Sequence, residues 1–166
     1  MSYIMVDVES DGPIPGDYSM IAFAAADCDN KDNFFVSKLK PISDKYLSNS
    51  LSISGFTREE CFSFNDPQEE MLKFGIWLNQ FDRKTFVSDN NGYDWQFINY
   101  YFHHFIGENP FGYSSQNLGS LYKGFVHNIR RNFKHLRKTK HDHNPLNDVW
   151  GNIEAFQEIK KMGMRF

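Results

Sequence analysis

Residues 3–12 read YIMVDVESDG, an apolar run that ends in alternating acids. Tyr3 to Val8 has the composition of a buried strand. Side chains two apart in a strand share a face, so Asp7 and Glu9 point the same way from its end. Two carboxylates held side by side repel one another, and a divalent cation would offset that repulsion. An Asp-x-Glu tripeptide is too frequent to carry a function by itself.

The segments after it predict an α/β layout. Ser10 to Asp17 is rich in turn formers, and Met20 to Ala26 suits a second buried strand. A polar turn, DCDNKDN, leads to a third strand over Asn33 to Leu39, giving a meander with short connections. From Pro67 the apolar spacing becomes helical (Met71, Leu72, Phe74, Leu78, Phe81), with Asp66 as N-cap and Pro67 at the first helical position. Thr85 to Ser88 reads as a short strand, DNNG as a turn, and Tyr93 to Phe105 as an aromatic-striped helix. Phe111 to Tyr113 is expected to be a last short strand, Gln116 to Val126 a helix, and Pro145 to Met162 the final helix. No domain boundary appears, so residues 1–166 are read as a single domain. Strand one should lie mid-sheet, with Asp7 and Glu9 at the carboxyl end where open α/β sheets collect ligands.

Composition narrows the class. A 40% hydrophobic and 17% aromatic content fits a folded core and argues against disorder. No apolar run approaches the ~18 residues a membrane span needs. The opening Met-Ser-Tyr-Ile lacks the basic start of a signal peptide. Cys28 and Cys61 are too few for a disulfide framework. Together these predict a cytoplasmic protein with reduced thiols and no membrane partner. The net charge of -3 conceals a basic run, Lys123, Arg130, Arg131, Lys134, Arg137, Lys138 and Lys140, with no acid inside it. Such a run is either a solvated face or a grip for a partner of opposite sign.

Two further stretches join the first acid pair. SDNNGYDWQF places Asp94 at the head of an aromatic helix, and HDHNPLNDVW places His143 in a loop with Asp148 on the first turn beyond it. Asp7-Val8-Glu9, then Asn91-Gly-Tyr-Asp94, then His143 with four residues before Asp148, resemble the three motifs of the DEDDh 3′–5′ exonucleases. The likeness runs from Tyr3 to about Phe156, and the opening and third motif are similar to those of the small bacterial and phage-type exoribonucleases. The chain departs from the common pattern at Tyr93 (often Phe), at Asn144-Pro145 (often Ala) and at Ser10 (often Thr).

The resemblance implies a ribonuclease H-like fold, a central mixed five-stranded sheet in the order 3-2-1-4-5 flanked by helices. It implies a 3′–5′ exonuclease, expected to act on RNA with DNA as the alternative, releasing nucleoside 5′-monophosphates from single-stranded 3′ ends. Two divalent cations, Mg²⁺ or Mn²⁺, about 3.5–4 Å apart would serve the reaction, since hard ions prefer carboxylate oxygen. Asp7 would bridge them, Glu9 and Asp148 would complete the site of the attacking water, and Asp94 would support the second ion. His143 would be the general base, because imidazole titrates close to neutrality. The terminal nucleotide would lie against the backbone beside Val8 and Ser10, with Phe56, Tyr93 and Trp95 as stacking surfaces and Arg130 and Arg131 on upstream phosphates. Dimers are common in the group, so a homodimer is compatible with it.

Other readings weigh less. His141 and His143 with His103-His104 suggest zinc, but neighbouring helical histidines face apart, and His141 is read as a surface or groove residue. Asp11, Asp17 and Asp89 are read as turn residues, and both cysteines as small buried hydrophobes. A binding module on an inactivated nuclease fold would be free to lose an acid or the histidine, and all five positions are filled. A polymerase-bound proofreading subunit would need a docking surface or tail, and no tail is evident beyond Arg165-Phe166.

Overall fold

The run at residues 3–8 is the middle of the molecule. In a computed structural model describing Met1–Phe166, it forms β1 (Ser2–Ser10). β1 pairs antiparallel with β2 (Met20–Asp27), which pairs antiparallel with β3 (Asn30–Lys38). On its other side β1 runs parallel to β4 (Lys84–Ser88), and β4 parallel to β5 (Ser115–Asn117). The sheet order is therefore 3-2-1-4-5, as expected.

Helices cover both faces, and the alternation of β1 sorts its side chains between them. Ile4, Val6 and Val8 pack with Phe74, Phe97 and Phe102 of α3 (Pro67–Leu78) and α4 (Asn91–Phe105). Met5 packs on the opposite face with Val149, Ile153 and Phe156 of α6 (Pro145–Lys161) and Leu118 of α5 (Leu118–Phe125). Asp7 and Glu9 continue that second face past the end of the apolar layer. A register shift between Glu9 and Ser10 bends the strand there, as bulges beside active sites often do. No helix is long and apolar enough to cross a membrane.

Several boundaries differ from expectation. The last strand is Ser115–Asn117, not Phe111–Tyr113, because Gly112 adopts φ 76° and turns the chain there. A three-residue polar strand has too little pattern to be read from sequence. The helix placed from Gln116 begins at Leu118, since Asn117 ends the strand and caps the helix by accepting from Ser120 N–H. α4 begins at Asn91, inside the predicted DNNG turn, and the polar turn before β3 shrinks to Cys28-Asp29. Two short helices, α1 (Ser48–Ser54) and α2 (Arg58–Cys61), had not been anticipated. Asp11 is no surface turn residue: it is fully buried, paired with Arg58 Nη1 at 2.6 Å and accepting from Ser19 N–H at 2.5 Å. Arg58 also lies 5.0 Å from the ring centres of Tyr46 and Phe62. This pair fixes the chain leaving β1 to the segment around α1 and α2.

Candidate active site

Asp7, Glu9, Asp94 and His143 line one cleft of about 330 Å³ at the carboxyl end of the sheet, and Asp148 lies buried beside it, a carboxylate oxygen within 4.8 Å of those of Asp7 and Glu9. β1 supplies Asp7 and Glu9. α4 supplies Asp94 from its first turn, and its Oδ1 accepts from Val8 N–H at 3.2 Å, which fastens helix to strand. α6 supplies Asp148, also in a first turn, where the helix dipole favours negative charge. Its start is set by Asn144, which accepts from Leu146 N–H at 3.1 Å, and by Pro145 at the first position. His143 precedes that cap with φ 59°, a left-handed conformation that costs a non-glycine residue about 1–2 kcal/mol. Such outliers collect at functional sites. Its Nδ1 stands 3.7 Å from Glu9 Oε1.

A backbone strap holds the histidines over α6. Glu154 Oε2 accepts from the N–H groups of Lys138 at 2.7 Å and Thr139 at 2.8 Å. A Cβ at Gly151 would lie 3.0 Å from the Thr139 carbonyl oxygen, so glycine lets the strap approach the helix. Arg137, at the head of the strap, donates through Nη2 to Asp89 Oδ2 at 2.9 Å and to Asn152 Oδ1.

The charge balance of the cleft is unfavourable without cations. Burial raises Asp7 well above the carboxylate range, with Asp94, Glu9 and Asp148 adding to the shift. Burial, then Asp148 and Asp94, pushes Glu9 from 4.5 to about 8, and burial pushes Asp94 from 3.8 to about 7. Ligand oxygens of Asp7, Glu9 and Asp148 lie within 4.8 Å of one another. Asp148 is 1% exposed, and neither of its oxygens accepts a hydrogen bond. Buried carboxylate oxygens normally have donors. An all-oxygen set with such orphaned atoms fits a hard divalent cation.

These raised groups predict a stability profile. Glu9 and Asp94 keep protons in the folded chain that the unfolded chain has already lost, so the folded state binds more protons in between. Their contribution is whole below the ordinary carboxylate range and is lost as pH rises through about 7 to 8. Carboxylates shifted the other way, such as Asp29 hydrogen-bonded to Lys160, finish titrating below that window. In EDTA the protein should melt ~5–10 °C lower near pH 8.5 than near pH 5.5, and Mg²⁺ should restore the loss only at the higher pH. Calorimetry giving a flat or rising melting temperature would contradict this account.

The other expected contact residues are divided. Val8, Ser10 and Tyr93 line the cleft. Ser10 Oγ donates to the Gly12 carbonyl at 2.5 Å and touches the Tyr93 hydroxyl, forming a fixed polar floor. Phe56 and Trp95 are not brought there: Phe56 packs edge-on against Phe64 at 5.2 Å, and Trp95 against Phe86 at 5.1 Å. Arg130 and Arg131 are exposed on the long connection before the strap, while Lys134 and Arg137 of the same run line the cleft. Sequence reasoning named Arg137 only as one member of the basic run, and it missed the wall made by Ser50 and Ile53 of α1, a short polar helix with no periodicity to betray it. Asp89, read as a turn residue, is the half-buried ion-pair partner of Arg137.

No family model matches the chain. It is 34% identical over 172 residues to a protein of Escherichia coli described as 3′-5′ DNA exonuclease Cap18, covering 96% of this chain and 92% of that one. The chain belongs to the DEDDh 3′–5′ exonuclease family. Among solved structures, cell-death related nuclease 4 superposes with a TM-score of 0.79 at 17% identity, over 98% of this chain and 64% of that one. The nuclease domain of 3′hExo, described as a DEDDh family member bound to rAMP, gives 0.77 at 14% identity over 98% and 92%. Escherichia coli exonuclease I with a dA16 oligonucleotide gives 0.77 at 17%, over 96% of this chain but 41% of that one. At these identities the superpositions establish the ribonuclease H-like fold. The exonuclease thus acts on nucleic acid, and its family membership and its carboxylates both imply divalent metal ions.

Proposed function

We propose that residues 1–166 act as one exonuclease domain that removes nucleotides from the 3′ end of single-stranded DNA. The convergence of Asp7, Glu9 and the orphaned Asp148 on one point supports metal-dependent phosphodiester hydrolysis. The description of the 34% identical relative supports DNA over the RNA expected from the motifs.

In this reading Asp7, Glu9, Asp94 and Asp148 would hold two cations of the Mg²⁺ or Mn²⁺ type. Such ions neutralise phosphate charge, acidify the attacking water and stabilise the leaving oxygen. His143 accepts the proton of that water on a ring nitrogen, with Glu9 beside it to orient the imidazole. The Ser10–Tyr93 floor and the backbone beside Val8 seat the terminal sugar. Exposed Ile53 gives the base an apolar wall, and Lys134 meets the next phosphate at the rim.

The test uses 5′-labelled single-stranded DNA and RNA with Mg²⁺, Mn²⁺ or EDTA. A ladder shortening from the 3′ end of DNA, faster than that of RNA and absent in EDTA, is expected. Faster shortening of RNA would restore the ribonuclease reading, and intact strands in every lane would end both. Arg130 and Arg131 belong to the same proposal as contacts to upstream phosphates. Replacing both by Ala should lower the slope of log affinity against log salt by about 1.4, at ~0.7 per single-strand phosphate contact. An unchanged slope in filter binding would leave them a solvated face.

A further inference from the structure

The loop entering α6 carries two histidines, and only His143 belongs to the motif. His141 nevertheless reaches the same aspartate: its Nδ1 lies 2.7 Å from Asp148 Oδ1, without the alignment of a hydrogen bond. The two imidazole rings are 4.4 Å apart at 65°. One ligand atom each from His141, His143 and Asp148 lies within 4.8 Å of the others. The adjacent carboxylate set offers only oxygen; this set offers two nitrogens and one oxygen. Imidazole with carboxylate is the donor chemistry of Zn²⁺, whereas Mg²⁺ selects oxygen. Both rings are about half exposed, 45% and 43%, so an ion from solvent reaches them without opening the fold. Asp148, by contrast, is almost wholly buried, and neither of its oxygens accepts a hydrogen bond.

We propose that His141, His143 and Asp148 form a second metal site that takes Zn²⁺ and switches the exonuclease off. Two consequences follow from sharing. Asp148 belongs to both donor sets, so zinc and the hard cations compete for it. His143 bound to zinc has no lone pair for a proton. Zinc inhibition should therefore weaken as Mg²⁺ is raised. Binding stands on the three side chains alone; inhibition rests also on the reading of His143 as base.

Binding is measured first on the protein without nucleic acid or Mg²⁺, by titration calorimetry with Zn²⁺ and by the visible spectrum with Co²⁺ as a probe. The wild type should take up the ion and give the strong visible bands of low-coordinate, nitrogen-ligated Co²⁺. His141→Gln should weaken Zn²⁺ binding by more than about tenfold, since even an indirect supporting partner is worth that much. Its stabilisation by Mg²⁺ should persist, because the carboxylates are intact and the protein is then shown to be folded. Zinc should inhibit the Mg²⁺-driven wild type at concentrations at least about tenfold lower than His141→Gln, each relative to its own uninhibited rate. Equal zinc affinity in the two proteins, or weak octahedral Co²⁺ bands, would overturn the site. Tight His141-dependent binding with an undiminished rate would overturn the switch, and with it the assignment of His143.

Discussion

Asp7→Asn is expected to slow release of the 3′-terminal nucleotide by at least about a thousandfold, which is roughly 4 kcal/mol of transition-state stabilisation. Asp7 sits on the central strand, paired with Ala24 of β2 and just past the end of the pairing with β4. Asparagine preserves shape and one oxygen but removes the charge that a cation would meet. Stability should move the other way. Asp7 is crowded by Asp94, Glu9 and Asp148, and burial raises its pKa well above the usual range, so a neutral side chain relieves the metal-free protein at alkaline pH. A variant that melts no lower than wild type in EDTA near pH 8.5, yet gives no ladder in single-turnover assays, would separate lost chemistry from lost folding. A rate within about tenfold of wild type would show that Asp7 holds no essential ion.

The difference between what was legible and what was not follows from the length scale of each signal. β1 and β2 were readable because long apolar runs have few other fates, and α3 because Asp66 and Pro67 mark its start. The order 3-2-1-4-5 came from the resemblance, while a meander followed by alternating elements gave only the class. β5 is three polar residues long, held by pairing with β4, so its strand character belongs to the tertiary structure. α2 did leave a local mark: Thr57 and Glu60 form a capping box, with Glu60 N–H donating to Thr57 Oγ1 at 3.2 Å. In the site, the motif acids could be named in advance because spacing encodes them. Ser50 and Ile53 could not, because folding alone brings them to the cleft. Aromatic content misled in the opposite direction. Phe56 and Trp95 are spent on packing, as most rings in an aromatic-rich chain must be.

His143→Gly should lower kcat by about 10²–10⁴-fold, the usual worth of a positioned general base, with little change in substrate affinity. Glycine is chosen over alanine because His143 sits at φ 59°, where a Cβ is strained and glycine is not. The variant should therefore be as stable as wild type or slightly more so, and lost activity cannot be laid to misfolding. The ring it deletes is 43% exposed and lines the open cleft, so imidazole added to the buffer has a path to the vacated place. Partial rescue by imidazole, growing with the fraction of its neutral form as pH rises, would identify the missing function as proton acceptance. A metal-ligand role would behave differently, since lost cation affinity would be rescued by raising Mg²⁺ instead. The neighbouring His141 sets the competing outcome. Its ring centre is 4.4 Å away and its Nδ1 already touches Asp148. Should His143→Gly retain a rate within about tenfold of wild type while the His141→Gln enzyme is slowed by more, the base would be His141.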